Sequence, residues 1–137
     1  MSPLEAKVSL LDQPYFSALR ARLELSGQRQ KLISENIANA STPGYVPRDV
    51  DTSRFDKALT DAMRQSANGG RGSMSVSTSL ARVIKSPDGE TTLDGNAVEL
   101  EDQVMKAAQT RQDFETSIAL YQKGLSLLRI AARAPGR

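Results

Sequence analysis

The chain has 137 residues, enough for one domain or one small module with long arms. Lys and Arg number 18 against 16 Asp and Glu, with no block of like charge anywhere, which argues against a nucleic-acid footprint. Cys, His and Trp are absent and Phe and Tyr number three each, which excludes disulfides, thiol catalysis, imidazole bases and Cys/His zinc sites and leaves few aromatics for a globular core.

Two apolar stripes open the chain. Leu4, Val8, Leu11, Tyr15 and Ala18 form one; Phe16, Leu19, Leu23, Ser26, Gln30, Ile33, Ile37 and Ala40 form another in a different phase. Pro14 marks the change, because proline is tolerated in a first helical turn. The spacing predicts a helix of about 27 residues over 14–40. The first eleven residues lack the basic start and apolar stretch of a cleaved secretory signal, and no run approaches the roughly 18 apolar residues of a membrane span.

The decapeptide from Asn36 to Tyr45 reads as a helix exit. Pro43 biases Thr42 away from the α region. Pro43-Gly44 suits the centre of a type II turn with Gly44 at positive φ. Asn36 and Asn39 share one helical face, where their amides can meet terminal carbonyls or a neighbouring backbone.

The middle reads as a small insert. Ser53 resembles an N-cap, and Phe55, Leu59, Ala62 and Met63 make a short amphipathic helix. Asn68 to Ser73 is a flexible linker by composition. Val76, Leu80, Val83 and Ile84 precede the turn sequence Ser86-Pro87-Asp88-Gly89, which predicts a small β-hairpin around 80–93.

The C-terminal stretch carries the clearest signal, a heptad seam running Ala97, Leu100, Val104, Ala107, Arg111, Phe114, Ile118, Tyr121, Leu125, Leu128 and Ala132. Asp94-Gly95 makes a turn, Asn96 suits the N-cap, and Glu99 follows as in a capping box. Residues 96–115 hold five acids and two bases, residues 116–137 four bases and no acid, in accord with the helix dipole. The helix is expected to stop near Arg133, before Pro135-Gly136. At roughly 37 residues it would be about 55 Å long, whereas a compact globule of this chain length is only about 35–40 Å across.

The fold class expected is therefore mainly α: two long terminal helices forming a coiled-coil-like pair, a small irregular or β-hairpin middle insert, and an elongated subunit. Residues 1–45 and 93–137 form the terminal-helix domain, and 46–92 the middle segment. The longer C-terminal helix outruns its partner and leaves apolar surface uncovered, as an assembling subunit requires.

The strings NIANASTPGY (36–45) and DGNAVELEDQVMKAAQTRQDFETSIALYQKGLSLLRIAAR (94–133), with YVPRDVD (45–51) after the first, closely resemble the bacterial flagellar rod–hook–filament axial family. The resemblance covers roughly residues 14–60 and 93–133. It departs at Thr52, where an aromatic is common and Phe55 arrives instead, and at Ala97, where Thr is common. The Phe-x-x-x-apolar element that early export substrates often carry fails here, because Arg20 stands four residues after Phe16; Tyr15 and Leu19 are the nearest match, at a spacing equally ordinary for a helix.

The resemblance implies a structural subunit of the proximal rod that polymerises through its terminal helices into the drive-shaft tube. Its partners would be copies of itself, other rod subunits, the base-adapter protein FliE, the export gate and the MS ring. It implies export by the flagellar type III apparatus without a cleaved signal, into the periplasmic rod. The assembly candidates are Leu19, Leu23, Ile33, Asn36, Ile37, Asn39, Pro43, Gly44, Tyr45, Val104, Arg111, Phe114, Ile118, Tyr121, Leu125 and Leu128. An intramolecular helix-pair core is their other reading. Arg111 fits best with its stem packed and its head in solvent.

No cofactor, metal, nucleic acid or small-molecule substrate is expected. The carboxylates most worth testing for catalysis are Asp49 with Asp51 and Glu99, Glu101 and Asp102, and the i,i+3 pair Glu99 and Asp102 is better explained by capping and dipole. The alternatives are a cytoplasmic coiled-coil adaptor or chaperone of a secretion system, and the related rod subunit FlgC.

Overall fold

A computed structural model describes residues 2, 14–69 and 78–133. The upstream stripe of Leu4, Val8 and Leu11, the linker residues Gly70 to Ser73 and the apolar Val76 lie outside these described residues. The elements in chain order are α1 (Pro14–Ala38), β1 (Arg48–Asp51), α2 (Ser53–Ala67), a 3-10 turn (Thr78–Leu80), β2 (Arg82–Lys85) and α3 (Leu100–Arg133). Two long helices flank a small module with a two-stranded antiparallel sheet.

α1 and α3 run antiparallel. Near the start of α1, the Tyr15 hydroxyl donates to the Leu120 carbonyl at 2.9 Å and the Phe16 ring meets Tyr121 edge to face. Near its end, Asn36 reaches Gln103. α3 has 34 residues, which is about 51 Å of helix. It begins with Glu101 and Asp102 in its first turn and ends with Arg133 in its last, each sign at the favourable end of the dipole.

α1 is used on two sides. One carries Phe16 and Asn36 toward α3. The other carries Ala21 and Leu25 into a cluster with Phe55 and Ala62 of α2, flanked by Val50, Leu59 and Ala81. A bidentate pair from Arg29 to Asp49, at 2.9 and 3.1 Å, ties β1 to α1.

Three local expectations are corrected. First, β2 pairs with β1, from Arg48 opposite Lys85 to Asp51 opposite Arg82, and not with residues up to 93. The backbone after β2 is committed elsewhere: Ser86 donates to the Pro47 carbonyl and Asp88 to that of Ala97. Second, the cap of α2 lies before Ser53. Asp51 accepts from the Ser53 amide, the Thr52 carbonyl accepts from Asp56, and the Thr52 hydroxyl bonds the Asp56 carboxylate. Third, α3 begins at Leu100 and no capping box forms. The Asn96 side chain accepts from Val98, while the Asn96 amide proton goes to Asp94.

The seam of α3 is also displaced. Its buried residues are Gln103, Thr110, Ser117 and Gly124, spaced by seven, and each immediately precedes a residue of the row Val104, Arg111, Ile118 and Leu125. One residue is about 100° of helix. The helix therefore meets α1 along a polar and small-residue line. The physical reason is approach distance: a Cβ on Gly124 would stand 2.9 Å from ring carbons of both Tyr15 and Phe16. Thr110 satisfies its hydroxyl on its own helix, on the Lys106 carbonyl at 2.7 Å.

Candidate assembly interface

The decapeptide folds into a lock between the three parts of the chain. Tyr45 donates its amide to the Thr42 carbonyl and Gly44 has φ of 72°, which is the type II turn expected. Gly95, at φ of 82°, turns in the opposite strand of chain. A side-chain carbon there would sit 3.3 Å from Gly44 Cα. The two glycines thus permit both the positive φ and the close approach. Gly44 donates to the Asp94 carbonyl and Ala97 to that of Tyr45, joining the exit of α1 to the approach of α3.

Around this backbone contact lies a buried polar network. Asn36 is 1% exposed. Its amide donates to the Arg48 carbonyl at 2.8 Å and to Gln103 Oε1 at 3.0 Å, and its Oδ1 accepts from the Tyr45 hydroxyl and the Arg48 amide. All four hydrogen-bonding positions of the side chain are used. Asn96 works from the other side, donating to the carbonyls of Asn39 and Thr42. Gln103 passes the network to Asp88 Oδ2 at 2.7 Å, and Asp88 also accepts from the Glu99 amide and pairs with Lys106 at 2.6 Å.

Burial pushes the Asp88 carboxyl upward, but the hydrogen bonds from Lys106, Gln103 and the Glu99 amide outweigh it and hold the group below its ordinary value. Asp51 and Asp94 are also lowered: Asp51 chiefly by the Ser53 amide, Asp94 chiefly by the Thr92 hydroxyl and then the Asn96 amide. Among the described residues no group of three or more acidic, His or Cys side chains converges on a metal position. No helix there is long and apolar enough to cross a membrane.

Between the lock and the aromatic clasp at Gly124, the helix pair opens into a groove of about 260 Å³, lined in part by Arg22, Ser26, Phe55, Thr110 and Ser117. The heptad row, in contrast, faces largely outward or sideways, apart from buried Ala97 and from Tyr121 in the clasp. Leu100, Val104 and Phe114 are exposed, Val104 at 61%. Ile118, Tyr121, Leu125 and Leu128 are half-buried.

The model of the family described as flagella basal body rod protein matches residues 17–45. The flagellar basal body rod protein FlgB of Yersinia ruckeri is 34% identical over 120 residues, covering 77% of this chain and 79% of that protein. FlgB of Salmonella typhimurium is 31% identical over 115 residues, covering 77% and 78%. FlgB of Cereibacter sphaeroides is 34% identical over 118 residues, covering 81% and 88%. This chain belongs to the FlgB family of flagellar basal-body rod proteins.

In this FlgB-family chain the sixteen residues singled out from sequence fall into three groups. Leu19 and Ile33 are buried, and Asn36, Asn39 and Tyr45 join the lock, Asn39 through its own turn by bonds to Glu35 and Thr42. Leu23, Ile118, Tyr121, Leu125 and Leu128 are half-buried, Tyr121 against the Phe16 ring. Ile37, Pro43, Gly44, Val104, Arg111 and Phe114 are exposed. Arg111 has its head in solvent, bonded to Glu115 one turn on at 3.0 Å. Sequence reasoning missed Asp88, Gln103 and Gly124. Gln103, Thr110, Ser117 and Gly124 carried a readable signal, a seven-residue period, but in polar and small residues that an apolar search passes over.

Proposed function

We propose that this FlgB-family chain is a structural subunit of the flagellar proximal rod. It polymerises through its terminal helices into the tube that transmits motor torque and conducts exported subunits. The observation that carries the reading is the division of α3: a polar and small line turned to α1, and an apolar row left largely on the outside. The exposed part of that row gives a monomer nothing, whereas a subunit that stacks head to tail without closing uses it at every contact. The terminal pair acts as the assembly domain and the segment 46–92 as a module set on its side.

Its partners are copies of itself and other rod subunits, with FliE, the MS ring and the export gate at the rod base. It reaches the periplasmic rod through the flagellar type III apparatus. The role is architectural and not enzymatic: Asp49 is engaged by Arg29 and Asp51 by the start of α2. Mass spectrometry of purified hook–basal bodies, stripped by acid to the rod, tests the reading. The chain is expected in the stripped rod. Recovery from the cytosol alone would move the adaptor reading to first place, and recovery at the FlgC level of the rod would reassign the subunit.

A further inference from the structure

Two exposed clusters on α3 have apolar rims and charges of opposite sign. In the first turns Glu101 stands with Val104 and Met105, its i+3 and i+4 neighbours, which are 61% and 71% exposed. Twenty-two residues on, Lys123 stands with Leu127 and Ile130, which are 59% and 65% exposed. The first cluster lies opposite the buried line of Gln103, Thr110, Ser117 and Gly124, and the second on its flank, where Leu127 comes one turn after Gly124 yet stays exposed. Neither Glu101 nor Lys123 takes part in an ion pair among the described residues. The wider charge follows the same division, with Asp102 beside the first cluster and Arg129 and Arg133 beside the second.

We propose that the Glu101–Val104–Met105 cluster of one copy docks on the Lys123–Leu127–Ile130 cluster of the next, with the two α3 helices parallel and offset by about 33 Å along their axes, 22 residues at 1.5 Å each. Like clusters repel, so the acidic one does not pair with its own copy. It is complementary to the basic one, and the apolar rims then exclude water from the charge pair. The offset that sets Glu101 opposite Lys123 also sets Met105 opposite Leu127, so charge and apolar contacts agree on one register. This inference rests on the proposed assembly of the chain into a rod, whose repeated head-to-tail contacts make the parallel arrangement the one that propagates.

The absence of native cysteine makes the test clean. The full-length chain is expressed in its host in place of the wild type. Glu101→Lys and Lys123→Glu are each expected to abolish swimming, and the double variant Glu101→Lys/Lys123→Glu to restore it to at least a tenth of the wild-type swarm rate. Met105→Cys/Leu127→Cys, oxidised in purified basal bodies, is expected to give cross-linked species beyond the dimer. The two positions of one rigid helix are too far apart to join to each other. Normal swimming of both single variants, a double variant no better than either single, or cross-links absent or stopping at the dimer would overturn the docking. Wild-type chain missing from stripped rods would instead defeat the rod assignment itself, so the two failures are distinguishable.

Discussion

Asp88 has a side chain shut off from solvent, yet three donors keep it ionised: the Lys106 ammonium, the Gln103 amide and the Glu99 backbone. Its folded pKa is held below the ordinary 3.8. A depressed carboxylate contributes stability above its unfolded pKa and loses it as pH falls through the folded value. The chain is therefore expected to weaken below about pH 4, and Asp88→Asn to be less stable at pH 7 with a flatter acid limb. The expected loss at neutral pH is about 1–3 kcal/mol, because Lys106 loses its counter-charge but is near enough to solvent to rehydrate. Urea unfolding at pH 7 and pH 3.5 measures both; parallel acid limbs for the two proteins would contradict the assignment. At the same scale Asn36 was legible in sequence as a polar residue near a helix end. Its partners were not, because Gln103 lies 67 positions away and only folding brings it to 3.0 Å.

At the scale of elements, α1 is held to α3 at both of its own ends. The lock fixes one end and the Tyr15, Phe16 and Tyr121 clasp fixes the other, with a groove between. Gly124 is the condition for the clasp. Gly124→Leu forces the rings of Tyr15 and Phe16 apart and is expected to cost about 1–3 kcal/mol, the usual range for overpacking. A Cβ on Gly27 of α1 would meet no atom within 4 Å, so Gly27→Ala is expected to stabilise by up to about 1 kcal/mol through helix propensity alone. Denaturant midpoints moving in opposite directions would verify the contrast. Existence and approximate length of both helices were legible from periodicity, which the described spans Pro14–Ala38 and Leu100–Arg133 match. The strand pairing was not, since β1 and β2 are separated in sequence by all of α2 and neither has an alternating pattern to declare a partner.

For the whole molecule, the decisive feature is that the long apolar row of α3 does not form the centre of the helix pair. Val104→Asp places a charge on that row at an exposed position. It is expected to leave monomer stability within about 0.5 kcal/mol, as for other surface substitutions, and to abolish swimming. Ile118→Asp is expected to block assembly as well. Its position is half-buried, so it also weakens the monomer, and the comparison of melts separates the two effects. A Val104→Asp strain that swims normally would show that this stretch of the row lies free in the rod.

By itself the sequence determined the two long helices, the type II turn at Pro43-Gly44, the absence of Cys and His chemistry and the resemblance to the rod family. Each of these is a local property, set by spacing, proline, glycine and composition within a short window. Only the tertiary structure decided which stripe of α3 faces α1, where β2 pairs, and that Asn36, Gln103 and Asp88 form one network. A heptad pattern states that a face is apolar but not what covers it. Here close approach at Gly124 and the buried amide of Asn36 select the polar and small line for the chain's own partner helix, and leave much of the apolar row to the outside.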